Sequence, residues 1–349
     1  MLPARPTPEG SEVVAVTGAA TGLGCALVER LTGQPLGIDV RRIDARRVDV
    51  RRAGGDVWEP LLASRLTGAT TVVHLATSYD LAESGPARRV LNVRGTAQVL
   101  EAALAAGARR VVLVTSAEVY GALPDNPVPL LDSAPLRGVA DDETLAGEHV
   151  EVERLADHAA RTGLSVTVLR PATLVGGPLG PAYDGQLLRQ LGAPRLVAVR
   201  GVEPLWQLCH VEDLVSALEL AATGAVTGGL AVASTGSVPQ RLVESMSGRR
   251  RLELPASVAI STAERLHRLG VTTSSPRELD HLLGPLVVAA DGLRAAGWVP
   301  SWTNEAALRA HLSARSEGRG GAYTAAGATV AVLGSAALVR RARRRRRGV

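Results

Sequence analysis

Glycines and a threonine crowd together after a short apolar run: residues 12–17 read EVVAVT and residues 18–24 read GAATGLG. Such spacing permits a sharp turn and lets a diphosphate approach backbone N–H groups where a helix begins and its dipole favours an anion. Gly18, Thr21, Gly22, Leu23 and Gly24 form this turn. The same chemistry asks for an acid at the end of the next strand, to accept hydrogen bonds from the two hydroxyls of an adenosine ribose. Asp39, 21 residues beyond Gly18, answers that description and favours NAD. Arg41 and Arg42 follow at once and would instead hold the 2′-phosphate of NADP, the less favoured cofactor.

These groups need strands and helices in alternation. The runs 12–17, 70–75 (TTVVHL), 110–115 (RVVLVT) and 165–170 read as strands of the continuously apolar kind found in parallel sheets, with a shorter one at 35–38 ending in Asp39. Helices are expected at 25–31, 87–106, 144–161 and 211–222. The alternation predicts right-handed crossovers and an α/β fold, a Rossmann-type doubly wound parallel sheet with a smaller C-terminal substrate domain. The expected divisions are a Pro-rich disordered start at 1–10, a nucleotide domain at 11–175 with 206–235, and a substrate region at 176–205 with 237–312. A linker, an apolar stretch and an arginine tail follow at 313–349.

Composition narrows the function classes. In 349 residues there is no lysine, so all 39 basic residues are arginine, and there is no phenylalanine. The net charge of +5 comes from the tail: seven arginines lie in the last ten residues, and 5 − 7 leaves the body at −2. A nucleic-acid-binding body would carry a basic face, and nothing here calls for one. Cys25 and Cys209 are too far apart in sequence to suggest a disulfide framework or a metal site, which suits a reducing cytoplasm. No charged start followed by an apolar run is present, so no secretory signal is expected.

Several stretches taken in order resemble the extended branch of the short-chain dehydrogenase/reductase family, the NAD-dependent epimerase/dehydratase group. They are Asp49-Val50, the VVHLAT of 72–77, the NVRGT of 92–96, the TSAEVYG of 115–121, the LRPAT of 169–173, the HVED of 210–213 and the block around Trp298. The match covers about residues 12–312. One departure is that Thr21 stands where extended members usually carry the middle glycine. The resemblance implies that Gly18, Leu23 and Gly24 face a diphosphate, that Asp49 with Val50 meets the adenine edge, and that Leu75, Ala76 and Thr77 line the nucleotide. It further implies that Asn92 orients the sheet end, and it adds Thr115 and Pro171 to the cofactor set.

The resemblance also implies the chemistry, and there the chain departs from it. In the family a tyrosine is the general acid/base, and a lysine four residues later lowers its pKa. An unperturbed phenol near pKa 10 is a poor base, and i, i+4 spacing puts both groups on one helix face. Ser116 matches the family serine. Counting back from Glu153-Arg154-Leu155 puts His149 at the lysine position and Leu145 at the tyrosine position. A histidine can donate to a ribose hydroxyl or act as a base itself; its bland alternative is an ordinary helix histidine.

Two functions therefore stay open. One is an oxidoreductase or epimerase on a nucleotide-sugar or other hydroxyl/carbonyl substrate, with Ser116 and an unconventional base. The other is a catalytically inactive dinucleotide-binding redox sensor or membrane-surface scaffold. Residues 322–347 combine an apolar stretch with arginines and suggest an anionic lipid surface, against the alternative of a solvated tail. A homodimer is also compatible with the resemblance.

Overall fold

The computed structural model of the chain describes residues 12–33, 38–43, 59–81, 85–140, 144–179, 183, 186–193, 195–269, 279 and 282–317. The chain opens with β1 (Val13–Thr17), α1 (Gly22–Gly33), β2 (Asp39–Ile43), α2 (Glu59–Leu66) and β3 (Thr71–His74). It continues through α3 (Gly85–Arg89), a π-helical turn (Val90–Arg94), α4 (Gly95–Ala105), β4 (Arg110–Val114), α5 (Leu145–Arg161) and β5 (Ser165–Pro171). Then come β6 (Thr173–Val175), α6 (Gln186–Gln190), β7 (Arg195–Val199), β8 (Leu205–Trp206), β9 (Leu208–His210), α7 (Val211–Ala222) and β10 (Gly228–Val232). The last elements are β11 (Val238–Pro239), α8 (Gln240–Ser247), β12 (Arg250–Leu254), α9 (Ala256–Arg268), α10 (Asp291–Ala295) and α11 (Asn304–Glu317).

Six parallel strands form one sheet in the order β10-β5-β4-β3-β1-β2. This is the doubly wound α/β sheet that strand and helix alternation requires. Alternate strand residues feed two cores. Val14, Val16, Val73, Val112 and Val114 meet Leu23, Leu27 and Leu31 of α1 and Leu214 and Leu218 of α7. Val13, Ala15, Val72, Val111 and Leu113 meet Leu66 of α2, Leu100 of α4 and Val152 and Ala156 of α5. Without phenylalanine, both layers are filled by valine, leucine and alanine. Strands covered on both faces need no polar alternation, which is why they read as continuous apolar runs.

Chain order reverses between β1 and β3, where parallel sheets of this type take ligands beyond their carboxyl ends. A third apolar cluster, including Leu188, Leu196, Trp206, Val243 and Leu308, lies outside the main sheet, around the β7–β12 and β8–β11 pairs. Val288, Leu293 and Trp298, from the stretch 237–312, pack instead into the core of the main sheet.

Three elements differ from expectation. The second strand begins at Asp39 rather than ending there; Val13 pairs with Asp39 and Thr17 with Ile43. As the edge strand, β2 has one neighbour and a half-exposed face that tolerates Arg41 and Arg42. The expected helix 87–106 is interrupted by the π-helical turn, a local widening often met at functional sites. α11 also carries helix through Glu317, into the expected linker.

Buried polar links tie the layers together. Arg170 at the end of β5 grips Glu153 of α5 through Nε–Oε1 at 2.8 Å and Nη2–Oε2 at 2.6 Å, and also donates to the Tyr120 hydroxyl at 2.8 Å. Asp132 accepts from Ala231 N of β10 at 2.6 Å and from Gly292 N of α10 at 2.9 Å. Residues 1–10 and 322–347 lie outside the described residues; among the described ones no helix is long and apolar enough to cross a membrane.

Candidate functional site

The turn after β1 forms as its small residues suggest. Gly18 adopts φ +70°, and a Cβ there would stand 2.7 Å from the carbonyl carbon and oxygen of Leu75. A Cβ on Gly24 would collide with the Gly18 carbonyl oxygen. Both glycines are thus needed for close approach, one to the loop after β3 and the other to the turn itself. Thr21 caps α1: its Oγ1 accepts from Gly24 N at 3.0 Å and donates to Gly18 O at 2.8 Å. Gly22 and Leu23 open the helix, where N–H groups have no partner within it. The first turn therefore points toward an anion site, with one of its donors already taken by Thr21.

Strand register corrects two expected cofactor contacts. Asp39 pairs with Val13 at the amino end of the sheet, four strand positions away from Thr17, which leads into the glycine turn. At about 3.3 Å per residue it is roughly 13 Å from the level at which a ribose beside that turn would lie. Arg41 pairs with Ala15 in mid-strand and gives its guanidinium to the carbonyls of Arg65 at 3.1 Å and Thr67 at 2.6 Å, so it does not face a 2′-phosphate. The residue after Ile43 in sequence is Asp44, which, like Asp49 and Val50, lies outside the described residues.

The loop after β3 reaches the crevice. Leu75 N donates to Thr17 O at 3.1 Å, while the Leu75 side chain is buried in the core. Asn92, on the π-helical turn, holds this loop by accepting from Ser78 N and donating to Ser78 O, both at 2.8 Å. It also donates to Glu148 at 2.8 Å, and Glu148 is paired with Arg88 at 3.0 Å deep in the protein. Burial raises the Glu148 pKa and Arg88 works against that rise. Thr115, expected against the cofactor, is buried and donates to Glu153 at 2.9 Å. Pro171 closes β5 and is buried.

The expected catalytic positions sit around Tyr79. Its hydroxyl donates to the carbonyls of Thr115 at 3.0 Å and Val114 at 3.2 Å and also meets the Thr77 side chain. Its ring lies 5.2 Å from His149 and stacks on Tyr183 at 5.1 Å. Leu145, where the resemblance leads one to expect a tyrosine, is sealed with Tyr79, Leu81 and Tyr183 in one apolar cluster. His149 is 2% exposed and neither ring nitrogen has a partner among the described residues. Burial, and then the Arg88 charge, bring its pKa down to about 3, so it is a neutral imidazole at neutral pH. Burial first, then the charges of Tyr183 and Glu118, push the Tyr79 phenol upward, away from the range of a useful base. Ser116 is half-buried and caps the 3-10 turn that follows, accepting from Glu118 N at 3.2 Å. Tyr183 lies against Thr21 of the glycine turn. Tyr79 thus spans the gap between the strand end carrying Ser116 and the helix carrying His149.

Tyr79, Tyr183, Arg88 and Glu148 carry no motif that marks them. Tyr79 follows a strand end and Tyr183 lies in a Gly/Pro-rich stretch, so only the fold brings them together.

The family pattern described as the NAD dependent epimerase/dehydratase family matches residues 14–230. The chain belongs to that family. A protein of Mycobacterium tuberculosis named only as uncharacterised is 31% identical over 328 residues, covering 88% of this chain and 85% of the relative. A 3-diazoavenalumate denitrifying reductase from a Streptomyces species is 34% identical over 173 residues, covering 48% of this chain and 56% of the relative. Among solved structures, a dTDP-glucose 4,6-dehydratase from Streptomyces venezuelae with NAD and TYD bound has a TM-score of 0.64 at 19% identity, covering 88% of this chain and 98% of the other. A Thermus thermophilus UDP-glucose 4-epimerase in complex with NAD has a TM-score of 0.62 at 19% identity, covering 86% and 98%. The fold of this family member is therefore that of the extended enzymes.

Proposed function

We propose that this epimerase/dehydratase family member binds NAD(H) across the β1–β3 crevice but does not interconvert alcohols and carbonyls in the family's way. Leu145 carries this reading: where the resemblance asks for a phenol beside a cation, a leucine lies within an apolar cluster. The residues present suit the cofactor. The Thr21-capped start of α1 offers Gly22 and Leu23 N–H groups to a diphosphate, and His149 has two buried ring nitrogens whose demand a ribose hydroxyl would meet. NAD when bound would supply a hydride donor or acceptor. The protein's own part is to bind it, shield it with Tyr79 and Tyr183, and keep water out. The NAD-bound neighbours support the cofactor, and the relative named as a reductase supports reduction over epimerisation.

A second reading, a nucleotide-sugar enzyme with His149 as its base, is favoured by those same unpartnered nitrogens. The test is NADH titration by fluorescence, followed by deuterium transfer from labelled NADH to a panel of ketones and keto-sugar nucleotides. Binding without transfer is the expected outcome. Transfer that His149→Ala abolishes would establish the second reading instead.

A further inference from the structure

We propose that this crevice reduces hydride acceptors that are already cationic and require no proton, with arenediazonium ions as the acceptor class. The inference rests on the NAD(H) reading above and adds the acceptor to it. Hydride addition to a ketone creates an alkoxide, which a positioned acid must protonate as it forms. Leu145, Tyr79, His149 and Ser116 stand nearest the expected acid position, and none of the four is placed to do so. Leu145 has no proton to give. The Tyr79 hydroxyl is committed to two main-chain carbonyls at 3.0 and 3.2 Å. His149 is buried with no partner on either ring nitrogen among the described residues, and that burial, then the Arg88 charge, oppose its protonation. The Ser116 hydroxyl is an unaided alcohol serving as a turn cap.

The same surroundings suit a flat cation. Tyr79 and Tyr183 stack with ring planes 27° apart, and Tyr183 is only half-buried beside Thr21. Aromatic faces attract cations. Glu118 is near enough for its charge to act on Tyr79, and Arg88 is paired with Glu148 at 3.0 Å. The reaction balances without a general acid. The hydride of reduced nicotinamide, with its electron pair, forms the new aryl C–H bond. The aryl C–N bond breaks and its pair leaves on dinitrogen. The arene is reduced, the nicotinamide is oxidised, and no proton is taken up or released.

The test uses the full chain, NADH deuterated on one or the other face of C4, and 4-carboxybenzenediazonium. Deuterium is expected at the para carbon of benzoate, with dinitrogen released, from one face only, at a rate constant within about twofold between pH 6 and 7.5 because no proton moves. Reaction free in solution would draw label from both faces. Independently of turnover, calorimetry with phenyltrimethylammonium should show binding that Tyr183→Leu weakens about threefold to tenfold and Tyr183→Phe preserves. NADH that binds with no face-selective transfer overturns this proposal and leaves the cofactor reading standing; NADH that fails to bind overturns both. Equal affinity of the leucine variant for the ammonium probe removes the aromatic wall on which the acceptor class depends.

Discussion

The rings of Tyr79 and His149 meet at 5.2 Å, tilted by 57°, and bring a loop residue against the helix position where the sequence resemblance leads one to expect a lysine. The tyrosine near the site thus comes from the wrong element and points its hydroxyl at carbonyl groups. A phenol so held is a structural donor. The pair is a packing contact where the resemblance leads one to expect an acid/base pair.

Restoring the family pair should therefore create activity. Leu145→Tyr with His149→Lys is expected to raise deuterium transfer from NADH to simple ketones by about a hundredfold, the lower end of what an acid/base group contributes. The larger tyrosine would overpack the cluster with Tyr79 and Leu81 and cost about 1–3 kcal/mol of stability. Unchanged transfer in a folded double variant with normal NADH affinity would count against the assignment of these two positions.

Register sets Asp39 apart from the glycine turn. Asp39→Ala should leave the NAD dissociation constant within about twofold, because Asp39 lies at the far end of the sheet. Asp44→Ala, one residue beyond the Thr17–Ile43 pair in sequence, should weaken NAD about tenfold. Calorimetry on both variants decides between them; the reverse order of effects would refute the register argument.

Acid should unfold this protein early. His149 and His74 are buried neutral, with pKa values lowered by burial to about 3 and about 4 from an ordinary 6.5. The unfolded chain binds protons at these positions first, so stability is fully present above pH 6.5 and is lost as pH falls toward 4. For His74 alone the loss is on the order of 3 kcal/mol. Thermal melts from pH 7.5 to 4.5 should show a falling midpoint, and His74→Gln should flatten the slope.

The buried Arg88–Glu148 pair predicts an asymmetric double-mutant cycle. Glu148→Gln strands the guanidinium and loosens Asn92, costing about 3–5 kcal/mol. Adding Arg88→Met should recover much of that loss. Urea denaturation measures all three; a double variant as unstable as the sum of the singles would show no coupling.

The sheet was legible because its strands are covered on both faces and so remain apolar from end to end. β2 was not: Arg41 and Arg42 are acceptable on an edge strand, and the apolar PLGI of 35–38 before Asp39 imitated the missing element. That one displacement carried Asp39 and Arg41 out of the cofactor set. The glycine turn was readable because Gly24 is demanded by the Gly18 carbonyl six residues away and the whole turn lies in one short run of sequence, although the contact that demands Gly18 comes from Leu75. Leu145 and His149 could be placed by counting along one helix. What fills the crevice could not, since Tyr79, Tyr183 and Arg88 reach it from three separate segments and their contacts span up to about a hundred residues of chain.

Asp132 has a consequence for the protein in a crowded solution. β10 is an outermost strand, and the main-chain donor of Ala231 that faces away from β5 ends on this carboxylate. An unguarded strand margin is a template onto which another molecule's strand can add. Here an inward-pointing charge, anchored also to Gly292, occupies the place such a strand would need. Replacing Asp132 by alanine is therefore expected to show first as turbidity on concentration.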